Sequence, residues 1–297
     1  MTAREKGFLL LTSTLGDPNR RPLTTAQVRT LAERVRSAPQ IMEERQLNSR
    51  DLMGMGYSLE MAERIIGLLD DTVLLEHYLR RGERANCHAI SRISEGYPDP
   101  VHNRLGAEAP GCLWTRGDTE LLSRPAVALV GSRDLGTENL AFAKEVGRQA
   151  ARQGYVLVSG NARGADRAAQ ESCLAAGGDV VSVVADELER YTPNEHILYI
   201  SEDGFDLPFS AQRALSRNRV IHCMGLRTFV AQSGYQHGGT WDGTVKNLRF
   251  GWSPVYCFDD GSPACALLQE MGAEGIGLSD LHDFSSLSVR FFRLFDQ

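Results

Sequence analysis

Residues Ala126–Asp166 read AVALVGSRDLGTENLAFAKEVGRQAARQGYVLVSGNARGAD. Val127 to Val130 is an unbroken apolar run, the pattern of a strand buried on both faces. Gly131-Ser132-Arg133 ends it, and from Thr137 apolar residues recur at helical spacing. Tyr155 to Val158 is a second apolar run; Ser159-Gly160 ends it and leads into another helix. The stretch is therefore a βαβ unit with a polar turn at the carboxyl end of each strand. Ligands of open α/β sheets bind at those ends, and Gly, Ser and Arg together suit a phosphate.

Outward from this unit the alternation continues. Strands are predicted at 127–131, 155–159, 179–184, 227–231 and 254–258, after a short one at Cys112–Thr115. Helices are predicted at about 137–153, 164–176, 194–200, 210–224, 240–249 and 262–271. Apolar strands separated by helices imply an α/β fold, a parallel sheet with helices on both faces. Upstream, Val28, Leu31, Ala32 and Val35 recur at helical spacing behind a cap at Thr24 or Thr25. Further helices are expected near Leu59–Leu69 and Asp71–Arg81, and a buried one at the start of the chain. A length of 297 residues favours two domains: a small helical one over 1–84, then the α/β domain over 85–297. Residues 85–111 read as an irregular connector, and Ser288 to Gln297 as a short strand or helix.

Composition excludes several classes. No apolar run reaches the roughly 18 residues of a membrane span. The six cysteines form no CxxC pair and the seven histidines no HExxH, so free thiols in a reducing cytoplasm are expected, with no metal site and no cofactor. A net charge of −6 argues against a uniformly basic nucleic-acid surface and leaves room for a local basic groove.

Four loops are candidates for chemistry. Gly131, Ser132 and Arg133 join a small turn to a forked cation suited to phosphate oxygens; no GxGxxG is present, so the dinucleotide fingerprint is not met. Ser159, Gly160 and Arg163 repeat the arrangement at the next strand, where Asp166 either complements the helix dipole or meets the ligand. Arg213 and Arg217 share a helix face, Arg219 does not, and no acidic residue lies between Phe209 and Trp241 to balance them. Ser233, Gly234, Gly238, Gly239 and Thr240 form a phosphate cradle at a helix start. Beside it, Trp241 either stacks on a base or is buried, and Asp242 is the loop's one carboxylate.

These residues resemble the DprA (Smf) family of DNA-processing proteins over most of the chain. Gly96-Tyr-Pro98 and Pro110-Gly-Cys-Leu-Trp-Thr-Arg-Gly117 look like that family's lead-in. Ala126–Arg133 resembles its AIVGSR element, Ser159–Asp166 its SGxAxGxD, and Arg217-Asn-Arg219-Val-Ile its RNRxI; Ser233-Gly234 sits where its SG loop is expected. The helical start resembles the family's SAM-like domain. The resemblance implies an extended Rossmann-like domain that binds single-stranded DNA, with Arg133, Ser159, Gly160, Arg217 and Arg219 lining the pocket. It further implies a non-catalytic cytoplasmic homodimer that loads a RecA-type recombinase in natural transformation, with no membrane partner.

The departures are specific. Gln170 stands where the family usually has His. The SGSLxTA run is replaced by Ser233–Gly243, the Pro-Gly expected after the last core strand is missing, and no C-terminal winged helix is expected. The replacement loop resembles the phosphate loop of lysine-decarboxylase-like nucleotide hydrolases. That keeps an alternative open: a nucleotide-binding sensor or an N-glycosidic hydrolase using Asp242.

Overall fold

The computed structural model describes residues 1–38 and 47–287, so the element expected at Ser288 to Gln297 lies outside the described residues. Five helices come first: α1 (Ala3–Thr12), α2 (Thr25–Arg36), α3 (Ser49–Gly54), α4 (Leu59–Asp70) and α5 (Thr72–Arg84). The Thr24 hydroxyl caps α2 by accepting from Gln27 N–H, and the Gln27 side chain accepts from Thr24 N–H in return. Arg20 is buried and ties these helices together. Its guanidinium donates to Leu10 O, Ser13 O and Leu68 O at 2.9 Å each, so one side chain satisfies carbonyls at the ends of both α1 and α4.

The sheet follows: β1 (His88–Ser91), β2 (Cys112–Arg116), β3 (Ala126–Val130), β4 (Val156–Ser159), β5 (Val180–Val184), β6 (Ile197–Glu202), β7 (Thr228–Val230), β8 (Val255–Phe258) and β9 (Glu274–Ile276). Between them run α6 (Asp99–Leu105), α7 (Thr137–Arg152), α8 (Ala165–Ala175), α9 (Ala211–Ser216), α10 (Asn218–Met224), α11 (Gly238–Phe250) and α12 (Pro263–Glu270). The order across the sheet is β1-β2-β6-β5-β4-β3-β7-β8-β9. All pairs from β6 to β9 are parallel, while β1–β2 and β2–β6 are antiparallel.

Alternation along β3 shows how the sheet buries both faces. Val127 and Leu129 enter one core with Phe142 and Val146 of α7 and Ala169 of α8. Ala128 and Val130 enter the other with Val220 and Ile221 of α10 and Trp241 of α11. The close contact of α7 on α8 depends on Gly147, where a Cβ would lie 2.1 Å from Ala169 O. At the antiparallel edge Trp114 packs on Tyr78 of α5 and on Phe205, with ring centroids 5.2 and 4.7 Å away. This cluster fastens the helices to the sheet.

Four expectations need correction. The segment 194–200 is not a helix but leads into β6, which pairs with β5 on one side and β2 on the other. Its run Ile197-Leu198-Tyr199-Ile200 is too short for periodicity to separate a strand from a buried helix. The helix expected over 210–224 is divided at Arg217 into α9 and α10. The connector holds β1 and α6, and the sheet is mixed, because its edge strands are antiparallel. β9, unforeseen, pairs with β8 through only three residues.

His222 of α10 is fully buried. Its Nδ1 faces Asn247 Nδ2 at 3.1 Å, while Nε2 has no hydrogen-bond partner. Burial without a charged partner pushes its pKa down from 6.5 to about 3. A histidine depressed in the folded state contributes stability that is fully present above its unfolded value and is lost as pH falls through the folded one. Below pH about 6.5, His222 should therefore cost the fold about 1.4 kcal/mol per pH unit until about pH 3. Urea unfolding at a series of pH values, on the wild type and on His222→Gln, isolates this slope. A variant slope equal to the wild type's would rule out His222 as its source.

Candidate phosphate-binding crevice

The strand order reverses at β3. The chain winds from β3 through β4 and β5 to β6 on one side, and through β7 and β8 to β9 on the other. The helices after β3 and β4 pack on one face and the helix after β7 on the other, which leaves a crevice at the strands' carboxyl ends, as open α/β sheets do at such a switch point.

A cavity of about 700 Å³ occupies this place, walled by Gly131, Ser132 and Arg133 from one loop and Ser233 and Gly234 from another. Gly238, Gly239 and Thr240 of α11 also line it. The β3 and β7 loops are stitched by Ser132 N–H to Gln232 O at 3.0 Å and Gly136 N–H to Gln232 Oε1 at 2.9 Å. The α11 N-terminus has no side-chain cap, so its first N–H groups are available to an anion.

Arg217 forms the floor. It is only 8% exposed, and its Nε is buried without a hydrogen-bond partner. The guanidinium lies against Gly160, where a Cβ would come within 1.6 Å of Nη1; no other residue leaves room for it. Its nearest countercharge is Asp166 Oδ2 at 3.9 Å, which also accepts from Ala162 N–H at 3.2 Å. Burial pushes the Asp166 carboxyl up, with Arg217 opposing that rise. Burial likewise lowers Arg217, with Asp166 opposing that fall. For both partners desolvation outweighs their attraction, so the pair gains from a further charge-assisted contact. Arg133, exposed on the rim, has no hydrogen bond or ion pair among the described residues, and its charge acts unfavourably on Arg217. With the other lining carboxylate, Asp134, paired to Arg163, Arg133 and Arg217 face Asp166 alone and make a site for an anion.

The structure sorts the remaining sequence candidates. Arg213 is turned away and anchors loops, donating to Ala185 O at 2.7 Å, Leu207 O at 2.8 Å and Ser201 Oγ at 2.6 Å. Arg219 pairs with Glu202 at 2.9 Å and donates to Glu108 O. Two of the three arginines of this cluster, uncompensated along the chain, are thus taken up by groups across the fold. Arg163 reaches a second lobe of the crevice but pairs with Asp134 at 2.8 Å. Ser159 lies fully buried beneath the site, accepting from Gln170 Nε2 at 2.7 Å. Trp241 is buried in the core. Asp242 is exposed on α11 and does not line the crevice. Sequence reasoning missed Phe209 and Leu215, apolar side chains 57% and 49% exposed at the crevice mouth. The one available signal was Phe209 following Leu207-Pro208, outside any apolar period.

Comparisons with known proteins bear on the family and the fold. The family model for DNA recombination-mediator protein A matches residues 88–274. Protein Smf of Escherichia coli is 25% identical over 215 residues, 69% of this chain and 56% of that protein. DNA processing protein DprA of Streptococcus pneumoniae is 28% identical over 142 residues, 44% of this chain and 50% of that protein. The chain thus spans about half the length of the curated relatives it matches. The X-ray structure of S. pneumoniae DprA superposes with a TM-score of 0.67 at 21% identity, over 90% of this chain and 99% of that one. A structure of DNA processing protein A from Helicobacter pylori, described for its single-stranded DNA binding mode, gives 0.55 at 21% identity, over 66% and 94%. At that identity the two structures establish the fold, an α/β sheet of Rossmann-like form.

Gly160→Ala tests the floor. The added methyl must displace the Arg217 guanidinium, which should weaken pyrophosphate binding, read by calorimetry, about tenfold. Unchanged affinity would mean that Arg217 does not meet the anion.

Proposed function

The chain belongs to the DNA recombination-mediator protein A family, and from that premise we propose that its crevice grips single-stranded DNA through the phosphates and does no chemistry on it. The observation that carries this reading is the presence of Arg217 and Arg133 on one crevice, where Asp166 lies 3.9 Å from Arg217 and the other lining carboxylate, Asp134, is taken up by Arg163. The uncapped α11 N-terminus adds unpaired N–H donors on the facing wall. The crevice continues past Arg217 into the second lobe, the two sharing Arg133, Ala162, Phe209, Ala214 and Arg217, which gives room for more than one nucleotide.

The carboxylates of the crevice support a site without chemistry. Asp242 lies off the lining, Asp166 is engaged by Ala162 N–H and Arg217, Asp134 by Arg163 and Asp186 by the Tyr191 hydroxyl. Among the described residues none of them forms a hydrogen-bonded pair with a second carboxylate or a histidine, the arrangement of an acid and a base that an N-glycosidic hydrolysis would use.

The wider role follows from the family. We propose a part in DNA processing and recombination in the cytoplasm, with the bound strand passed to a RecA-type recombinase by a homodimer. Among the described residues no helix is long and apolar enough to cross a membrane.

Binding to oligo-dT, followed by fluorescence anisotropy at a series of salt concentrations, tests the reading against free nucleotides. Two arginine–phosphate contacts predict a slope of log K against log salt of about −1.4. Arg133→Ala, at an exposed position, should leave stability unchanged and flatten the slope by about 0.7. Binding to mononucleotides in preference to the oligomer, or no salt dependence, would contradict it.

A further inference from the structure

The second lobe of the crevice, about 430 Å³, extends from Arg133 and Arg217 over Gly160 and Asn161 to Tyr191 and Asp186. Asp186 is out of keeping with its surroundings: it is a half-buried carboxylate lining a crevice built for anions. Among the described residues it forms no ion pair. It accepts one hydrogen bond, from Tyr191 Oη to Oδ1 at 2.7 Å, and among the described residues its second oxygen has no hydrogen-bond partner. Beside a bound phosphate such a charge is repulsive, unless it accepts donors from the same ligand.

The neighbouring groups hold this carboxylate still. Tyr191 stacks on Tyr199 with centroids 4.7 Å apart and planes 21° from parallel. The Asn161 side chain reaches the same hydroxyl, and burial together with Asp186 keeps that hydroxyl protonated and donating. Asn161 itself sits at φ +58, a left-handed conformation that asparagine tolerates better than most residues. The lobe thus offers a fixed aromatic side chain and, beside it, a carboxylate with accepting capacity left over. Phe209 stands exposed where the two lobes meet.

A single strand presents its Watson–Crick edges to a protein. Guanine alone among the DNA bases carries two adjacent donors on that edge, N1–H and the 2-amino group, and they match the two oxygens of a carboxylate. Resting on the single-strand reading above, we infer that the lobe holding Asp186 is a guanine-reading subsite. Asp186 accepts from the base edge while Arg133 and Arg217 hold the adjoining phosphate. Specificity then comes from the lobe, and salt-dependent affinity from the two arginines.

The experiment compares oligo-dT with the same oligomer carrying one central dG, dC, dA or deoxyinosine, titrated by anisotropy against the full chain. One dG should tighten binding about tenfold, the gain of a good two-point base contact. Deoxyinosine, which lacks the 2-amino group, should give a smaller gain, and dC and dA little. Asp186→Asn can still accept from Tyr191; it should bind oligo-dT at least as tightly as the wild type and lose the gain from dG. Equal binding of dG and dT oligomers, an equal gain from dC or dA, or a dG gain that survives in Asp186→Asn overturns the subsite. Base-blind binding that keeps its steep salt dependence removes the subsite alone. Absence of binding to every oligomer removes the single-strand reading with it.

Discussion

The crevice depends on three places where the chain runs too close to itself for a Cβ. On Gly164 a Cβ would meet Arg133 O at 2.4 Å, on Gly131 it would meet Ala165 Cβ at 2.4 Å, and on Gly160 it would meet Arg217 Nη1 at 1.6 Å. Gly164 also adopts φ +90, open to glycine at no steric cost. These contacts draw the loops after β3 and β4 together, backbone against backbone, and lay a guanidinium flat on the chain. Arg217 is buried because it rests on that backbone. Asp166 sits in the first turn of α8 where it can offset part of the burial. Arg133, on the loop that crosses Gly164, is left at the rim facing a like charge.

The same constraint explains how an acidic chain can hold a phosphate. The net charge of −6 is spread over the molecule, whereas affinity for an anion is decided within a few ångströms of the ligand, where water is partly excluded. Of the five arginines of the candidate loops, Arg163 is engaged by Asp134, Arg213 by loop carbonyls and Arg219 by Glu202. Arg217, with only Asp166 at 3.9 Å, and Arg133, with no ion pair among the described residues, are the two that face the cavity. Asp186, in the second lobe, is a carboxylate with no ion pair among the described residues.

Much of the fold was legible along the chain. Apolar runs, broken by Ser182 in β5 and short in β7, marked β3, β4, β5, β7 and β8, and helical spacing behind Thr24 or Thr25 marked α2, because these signals are local and repeat within a turn or a pleat. The strand β6 was misread because four apolar residues fit a strand and a buried helix equally. What makes it a strand is the edge of β5 on one side and of β2 on the other. The edge strands β1 and β9 went unrecognised because His88-Ala-Ile-Ser91 and Glu274-Gly-Ile276 are short and carry little apolar pattern of their own.

The site divides along the same line. Glycine spacing and the turns after β3, β4 and β7 are written in the sequence, since close backbone approach demands Gly wherever it occurs, and they located the crevice. Which arginine faces the ligand was decided only by tertiary structure. Arg213, Arg217 and Arg219 lie within seven residues of one another and look alike in sequence. Their fates are set by Ala185, Asp166 and Glu202, each reached across the fold. A side chain's charge is a local property, but whether that charge is already satisfied is not.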